Sequence, residues 1–318
     1  MRVKLFITLL FILVVVTGCV PRITSKNEAG DSTVQLNNSE KDITIFLIQG
    51  EYLVPVTVQK EQLGPSTPAD AVYALMSWNA PEWAVSPLPL STEIHRVISD
   101  GDIAIIDLKE TASDSLSGGT LSETLLLQSL VLTLTGLKGI DQVQFLVEGE
   151  VSEAAFGHLD TTLPLNPPVA YNIEQPLPSG EVAFIRLWFA DQHGMFTVPV
   201  SRAVAKKDYN FETAVQELLR GPQTGSPLFS PFPEGTKVRS ISIDSKICTI
   251  DFSHELVSKY IGGSAGERLL LQSLVLTLTE FPEIEQVQML VEGKREEALL
   301  GHLETLQPLE RSYPNPFK

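Results

Sequence analysis

Eleven consecutive residues occur twice in this chain without change. Leu125-Leu126-Leu127-Gln128-Ser129-Leu130-Val131-Leu132-Thr133-Leu134-Thr135 returns at 269–279, an offset of 144. The same offset carries Leu146-Val147-Glu148-Gly149 onto 290–293, Gly157-His158-Leu159 onto 301–303, and Val54-Pro55-Val56 onto Val198-Pro199-Val200. Between 86–159 and 230–303, 35 of 74 ungapped positions are identical. A period this long is a duplicated domain, because solenoid repeats recur every 20 to 50 residues or so. A chain of 318 residues holds two such units, each large enough to bury its own core. The boundary falls in a segment with Pro164, Pro167, Pro168, Pro176 and Pro178. Proline-rich linkers favour extended, semi-rigid backbone. The reading is therefore domain 1 at 42–165, a linker at 166–179, and domain 2 at 180–313.

Each copy has the same order of elements. Strands are expected at 43–49 and 184–190, with hairpin partners at 53–58 and 196–202. A helix follows near 67–78, entered through Ser66-Thr67-Pro68, and its copy at 211–220 ends in Arg220-Gly221-Pro222, a cationic last turn followed by helix-stopping residues. Two more strands come next in each copy, near 93–98 and 102–108 and near 237–243 and 246–252. A long helix then carries the repeated leucine-rich run, and a final strand ends in Leu-Val-Glu-Gly. Leu126, Leu130 and Leu134 share one helical face with Leu127 beside them, a stripe suited to packing on a sheet. Hairpins and helices in irregular alternation give a two-layer α+β fold for each copy.

The N-terminus reads as an address. Arg2 and Lys4 precede an apolar run from Leu5 to Val16, too short for a comfortable membrane span, as in an export signal. The run closes on Val16-Thr17-Gly18-Cys19, which resembles the bacterial lipobox, where the cysteine thiol is diacylated and the signal at 1–18 is removed. Two acyl chains anchor a protein stably where one binds only marginally. Residues 19–41 then form a polar, lipidated flexible tether. Loss of 1–18 removes two basic residues and no acid, so the formal charge goes from −16 to −18. Anionic lipid headgroups repel such a chain, so its hold on the bilayer comes from lipid on Cys19. The remaining thiol, Cys248, sits in a β-rich stretch and reads as a small buried hydrophobe.

That acidity also excludes nucleic acid, whose phosphates require an excess of Lys and Arg. Two cysteines build no disulfide framework, and the chain carries no H-E-x-x-H or C-x-x-C, so no metal and no cofactor are expected. Gly262-Gly263-Ser264-Ala265-Gly266 matches G-x-S-x-G, but a nucleophile elbow needs a strand immediately before it, and 253–261 reads as loop or helical turn. Ser264 with Glu267, and Thr120 with Glu123, read instead as capping boxes. The repeated pairs Glu148 with His158 and Glu292 with His302 suggest an acid–base or metal site, yet no third ligand accompanies them. Their simpler role is a locally bonded histidine in a tail packed on the sheet. Asp107 and Asp251 end a strand in each copy, where a carboxylate organises the following turn. No catalytic residue is assigned, and a ligand-binding residue is left unknown.

Copy two carries Leu218-Leu219-Arg220-Gly221-Pro222, Pro233-Glu234-Gly235-Thr236 and Ile250-Asp251-Phe252-Ser253, then the helix through 272–279 and the strand through 287–293. Together these resemble the sporulation and spore-germination domain, the GerMN family. Copy one departs at Met76-Ser77-Trp78-Asn79 and Pro89-Leu90-Ser91-Thr92. The resemblance implies a fold akin to ring-building motifs and a non-enzymatic lipoprotein on the outer face of the membrane. It implies a role in assembling or positioning envelope complexes between mother cell and forespore, with envelope or sporulation proteins as partners. Identity between the copies is densest in core-like elements and sparse in loops, which favours different contacts on the two copies. The alternative is a solute- or wall-binding lipoprotein with a cleft between its domains.

Overall fold

The structure is a computed structural model that describes residues 42–59, 66–79, 81–116, 119–175, 180–295 and 301–317. The segment at 1–18 expected to be a signal, Cys19 and the expected tether at 19–41 lie outside the described residues. Copy one runs β1 (Asp42–Gln49), β2 (Tyr52–Gln59), α1 (Pro68–Met76), β3 (Ile94–Asp100), β4 (Ile103–Leu108), α2 (Glu110–Leu116), α3 (Thr120–Thr135), β5 (Gln142–Val147) and β6 (Glu150–Val151). Copy two repeats it as β7 (Val182–Ala190), β8 (Thr197–Ala205), α4 (Phe211–Arg220), β9 (Val238–Asp244), β10 (Ile247–Phe252), α5 (Glu255–Ser258), α6 (Gly263–Leu278) and β11 (Gln286–Val291). The chain closes with β12 (Leu309–Glu310) and β13 (Pro316–Phe317). Among the described residues no helix is long and apolar enough to cross a membrane.

Each copy is α+β, as the element order predicts. A hairpin opens it, β1 with β2 and β7 with β8. Gly50, at φ +61°, makes the two-residue turn of the first hairpin, which needs left-handed backbone at that position. A second sheet follows in which β4 pairs antiparallel with β3 and parallel with β5, and β10 likewise with β9 and β11. The parallel pairs require a crossover, which α2–α3 and α5–α6 supply. Helix α1 starts at a reciprocal cap: the Thr67 hydroxyl accepts from the Asp70 N–H while the Asp70 carboxylate accepts from Thr67, with Pro68 filling the first turn. Helix α4 is capped by the Asn210 side chain on the Thr213 N–H.

The long helices bury more than one face. Leu126, Leu130 and Leu134 are in the core as the spacing predicts, but Ser129 and Thr133 are equally buried. Their partners explain why those polar residues recur unchanged. The Phe46 N–H on β1 donates to Thr133 Oγ1 at 3.0 Å, and the Ser129 hydroxyl donates to the Phe46 carbonyl. In copy two the Trp188 N–H donates to Thr277 Oγ1, and Ser273 donates to the Trp188 carbonyl. One Ser/Thr pair, four residues apart on a helix, thus satisfies the outward backbone groups of one residue of an edge strand and blocks strand pairing at that point. Ser129→Ala combined with Thr133→Val leaves two buried backbone groups unpaired and should cost about 2–4 kcal/mol in urea unfolding. A loss below about 1 kcal/mol would mean that water replaces both side chains.

The halves are joined reciprocally. The strap after copy one crosses to β8, where the Ser201 N–H meets the carbonyls of Tyr171 and Asn172 at 3.3 Å. The strap after copy two crosses back to β2: the Thr57 N–H meets the carbonyls of Pro314 and Asn315, and β13 pairs parallel with β2 through Thr57 and Val58. Thr57 and Ser201 are equivalent positions at the 144 offset. An asparagine locks each strap. Asn172 accepts from the Leu53 N–H at 2.8 Å and donates to the carbonyls of Leu53 and Pro199. Asn315 accepts from the Thr197 N–H at 2.7 Å and donates to the carbonyls of Thr197 and Pro55. Leu53 matches Thr197 and Pro55 matches Pro199, so each asparagine clamps the two hairpins in the same way from opposite sides. Both take left-handed backbone, φ 54° and 47°, which asparagine tolerates better than most residues.

Candidate functional site

The repeated histidines and glutamates do not pair as the sequence suggested. His158 Nδ1 contacts Glu123 Oε2 at 3.1 Å, and Glu123 also accepts the N–H groups of His158 and Leu159. His302 and Leu303 meet Glu267 in the same way. Both glutamates are fully buried. These are the residues read as capping-box partners of Thr120 and Ser264, and that reading is corrected. Helices α3 and α6 have Gly119 and Gly262 as caps with no side-chain hydrogen bond. A carboxylate that satisfies a distant loop is not available to its own helix end. Ser264 lies inside the first turn of α6 rather than at a strand-to-helix elbow.

Glu148 and Glu292 take other partners, in a left-handed turn at φ 52° in both copies. Glu148 Oε2 meets His95 Nε2 at 2.9 Å and its Oε1 accepts the Glu110 N–H. The Glu110 N–H and the His95 ring hold the Glu148 carboxyl below its usual range. Asp107 accepts from Arg96 Nε at 3.1 Å and from the Gly149 N–H; Asp251 accepts from Arg239 at 2.8 Å and from the Gly293 N–H. Each aspartate therefore pins the turn after the neighbouring parallel strand, β5 or β11, and not the turn that follows its own strand, as the sequence had suggested. A β-bulge re-aims the basic partner in both copies, with His95 and Arg239 as the extra residues of β3 and β9. In copy two Arg239 reaches both Asp251 and Glu292, whereas copy one divides those contacts between Arg96 and His95.

Cys248 is fully buried on β10, and burial, with Glu212 nearby, pushes its thiol up to about 12. It is protonated and unreactive at neutral pH, since the thiolate is the nucleophile. Among the described residues no group of three or more His, Cys, Asp and Glu could hold a metal ion.

What the sequence did not reveal is the seam between the halves. Glu174, from the strap, accepts from the Tyr52 hydroxyl at 2.8 Å on copy one and from the Ser226 hydroxyl and the Gln223 N–H on copy two. Burial, reinforced by Glu174, raises the Tyr52 phenol to about 12, so it stays a donor. Gln49 Nε2 donates to Asp191 Oδ2 at 3.1 Å, and Asp191 also accepts the N–H groups of Met195 and Phe196. Elsewhere along the seam Trp83 stacks on His193, ring centroids 4.0 Å apart, and leans on Phe196. A cavity of about 580 Å³ opens beside Tyr52 and Glu174, lined from both halves and the strap.

Two copies of one α+β unit, fastened by exchanged straps and with their repeated polar residues engaged in internal bonds, define a duplicated protein whose distinctive geometry lies along its seam. The chain belongs to the family described as Germane, sporulation and spore germination, which matches residues 36–153 and 186–297. Over 223 residues it is 28% identical to the spore germination protein GerM of Bacillus subtilis (strain 168). That match takes in 66% of this chain and spans 58% of the relative's length. A solved structure, the tandem GerMN domains of the sporulation protein GerM from Bacillus subtilis, matches with a TM-score of 0.67 at 22% identity, covering 86% of this chain and 98% of that one. The fold is the tandem GerMN fold.

Proposed function

We propose that this protein is a non-enzymatic lipoprotein of sporulation or spore germination, held on the outer face of the membrane through diacylated Cys19. In this reading it is a scaffold that assembles or positions envelope proteins at the boundary between mother cell and forespore. The family match across both copies is the observation that carries it. The structure adds support in what it leaves open. Backbone groups of Phe46 on β1 and Trp188 on β7 are met by Ser/Thr pairs, and those of Thr57 on β2 and Ser201 on β8 by the straps, so the hairpin edges are obstructed at these points. The outer edges of β3 and β9 carry no strand among the described residues. An edge strand presents unpaired N–H and C=O groups, and a partner strand can add there.

The test is cellular. Cys19→Ala should move the protein from the membrane fraction to the soluble fraction, while a fluorescent fusion of the unaltered chain appears during sporulation at the engulfing septum. Retention of the Cys19→Ala protein in membranes would defeat the lipid anchor. Uniform expression in vegetative cells, with no envelope protein recovered by crosslinking, would defeat the scaffold role.

A further inference from the structure

The two faces of the seam began as equivalent and have diverged, and the divergence leaves one of them hollow. On one face the loop of copy one places Trp83 against His193 and Phe196 in the hairpin turn of copy two. On the other face the equivalent of Trp83 is Pro227, the equivalent of Phe196 is Tyr52, and the hairpin turn of copy one is two residues shorter. Without the indole and the longer turn, the space stays open as the cavity of about 580 Å³. That volume suits a small solute.

The cavity has a fixed wall. Glu174 is held by Tyr52, Ser226 and the Gln223 N–H, with Arg202 3.9 Å from it and 3% exposed. Gln49 also lines the cavity, its Nε2 committed to Asp191. Among the described residues the charged side chains of the lining are Glu51 and Glu174, with no Lys, Arg or His. Acceptors without cations repel anions and attract ammonium groups.

We propose that this cavity binds a small, polar, amine-bearing solute, the amine directed to Glu51. Because both halves and the strap line the site, an occupant also holds the hairpins together across the seam. The inference stands on the cavity and not on the scaffold reading: solute binding is measured on the isolated protein, and anchoring and partner capture leave it untouched.

The test uses the full chain in detergent micelles, with glucosamine as probe, glucose as its amine-free counterpart and inorganic phosphate as the anion. Glucosamine should bind saturably by calorimetry and raise Tm, about tenfold or more tighter than glucose, as one charge-assisted hydrogen bond implies. Phosphate should not bind. Pro227→Trp restores the indole of the other face and should abolish binding while Tm without ligand stays the same or rises. Glu51→Gln, at an exposed position, should weaken glucosamine to the level of glucose. No saturable binding, equal affinity for glucose and glucosamine, or unchanged binding in both variants would each overturn the assignment.

Discussion

Glu123→Ala should destabilise the protein by about 3 kcal/mol, and Glu267→Ala by a similar amount, since each removes a buried carboxylate on which several donors converge. The two sites have the same geometry, so the pair is an internal replicate. The alanine leaves the N–H groups of His158 and Leu159, or of His302 and Leu303, without their partner. Glutamine at either position keeps the shape and one acceptor and should lose roughly half as much, because hydrogen bonds to a charged acceptor are about twice as strong as neutral ones. Urea unfolding of each variant gives the measurement. A loss below about 1 kcal/mol in both copies would show that the loop, not the carboxylate, is held by its own packing.

The Glu123 carboxyl also gives a pH dependence with a definite sign. Burial raises its pKa, but the N–H groups of Leu159 and His158 and the His158 ring outweigh burial, so the folded value lies below the ordinary one. A depressed folded value means stability that is complete above the unfolded pKa, about 4.3, and lost as pH falls through the lower folded value. Glu123→Gln cannot titrate and should flatten the acid limb of Tm against pH.

The same glutamates show where sequence reading stops. Ser264-x-x-Glu267 satisfies the capping pattern, and nothing local reveals that the carboxylate turns 35 residues away to His302. The opening hairpins, the helices and the final strand were legible as elements because their signals are local: alternation, a proline at a helix start, a glycine at its end. The leucine stripe was legible for the same reason. Ser129 and Thr133 carried a signal that could have been used, since two polar residues preserved amid leucines in both copies ask for a buried partner. Asn172 and Asn315 carried none, because their bonds span 119 and 118 residues and the 144 offset does not align them. The cavity was half legible. The Trp83-to-Pro227 difference is plain in the sequence, but its meaning requires knowing that both loops face the opposite hairpin.

The straps give the second large effect. Asn172→Ala removes three hydrogen bonds to backbone groups of two hairpins and places a Cβ residue without a compensating side chain in left-handed backbone. The expected loss is about 3 kcal/mol, the amide bonds supplying most of it and the backbone about 1 kcal/mol. Asn172→Gly keeps the conformation and deletes the amide, so the difference between the two variants isolates the backbone contribution. Asn315→Ala should behave alike, for the same reasons on the opposite side of the seam. The decisive variant is the double one. Each strap alone still ties both halves, so a single substitution should lower stability without changing shape. With both asparagines replaced, the seam retains Trp83 on His193 and the Glu174 contacts but neither amide clamp. Small-angle scattering should then show a larger radius of gyration for Asn172→Ala with Asn315→Ala than for either single variant. An unchanged radius in the double variant would place the hold between the halves in the packing of β2 on β8, and would reduce the asparagines to local turn residues.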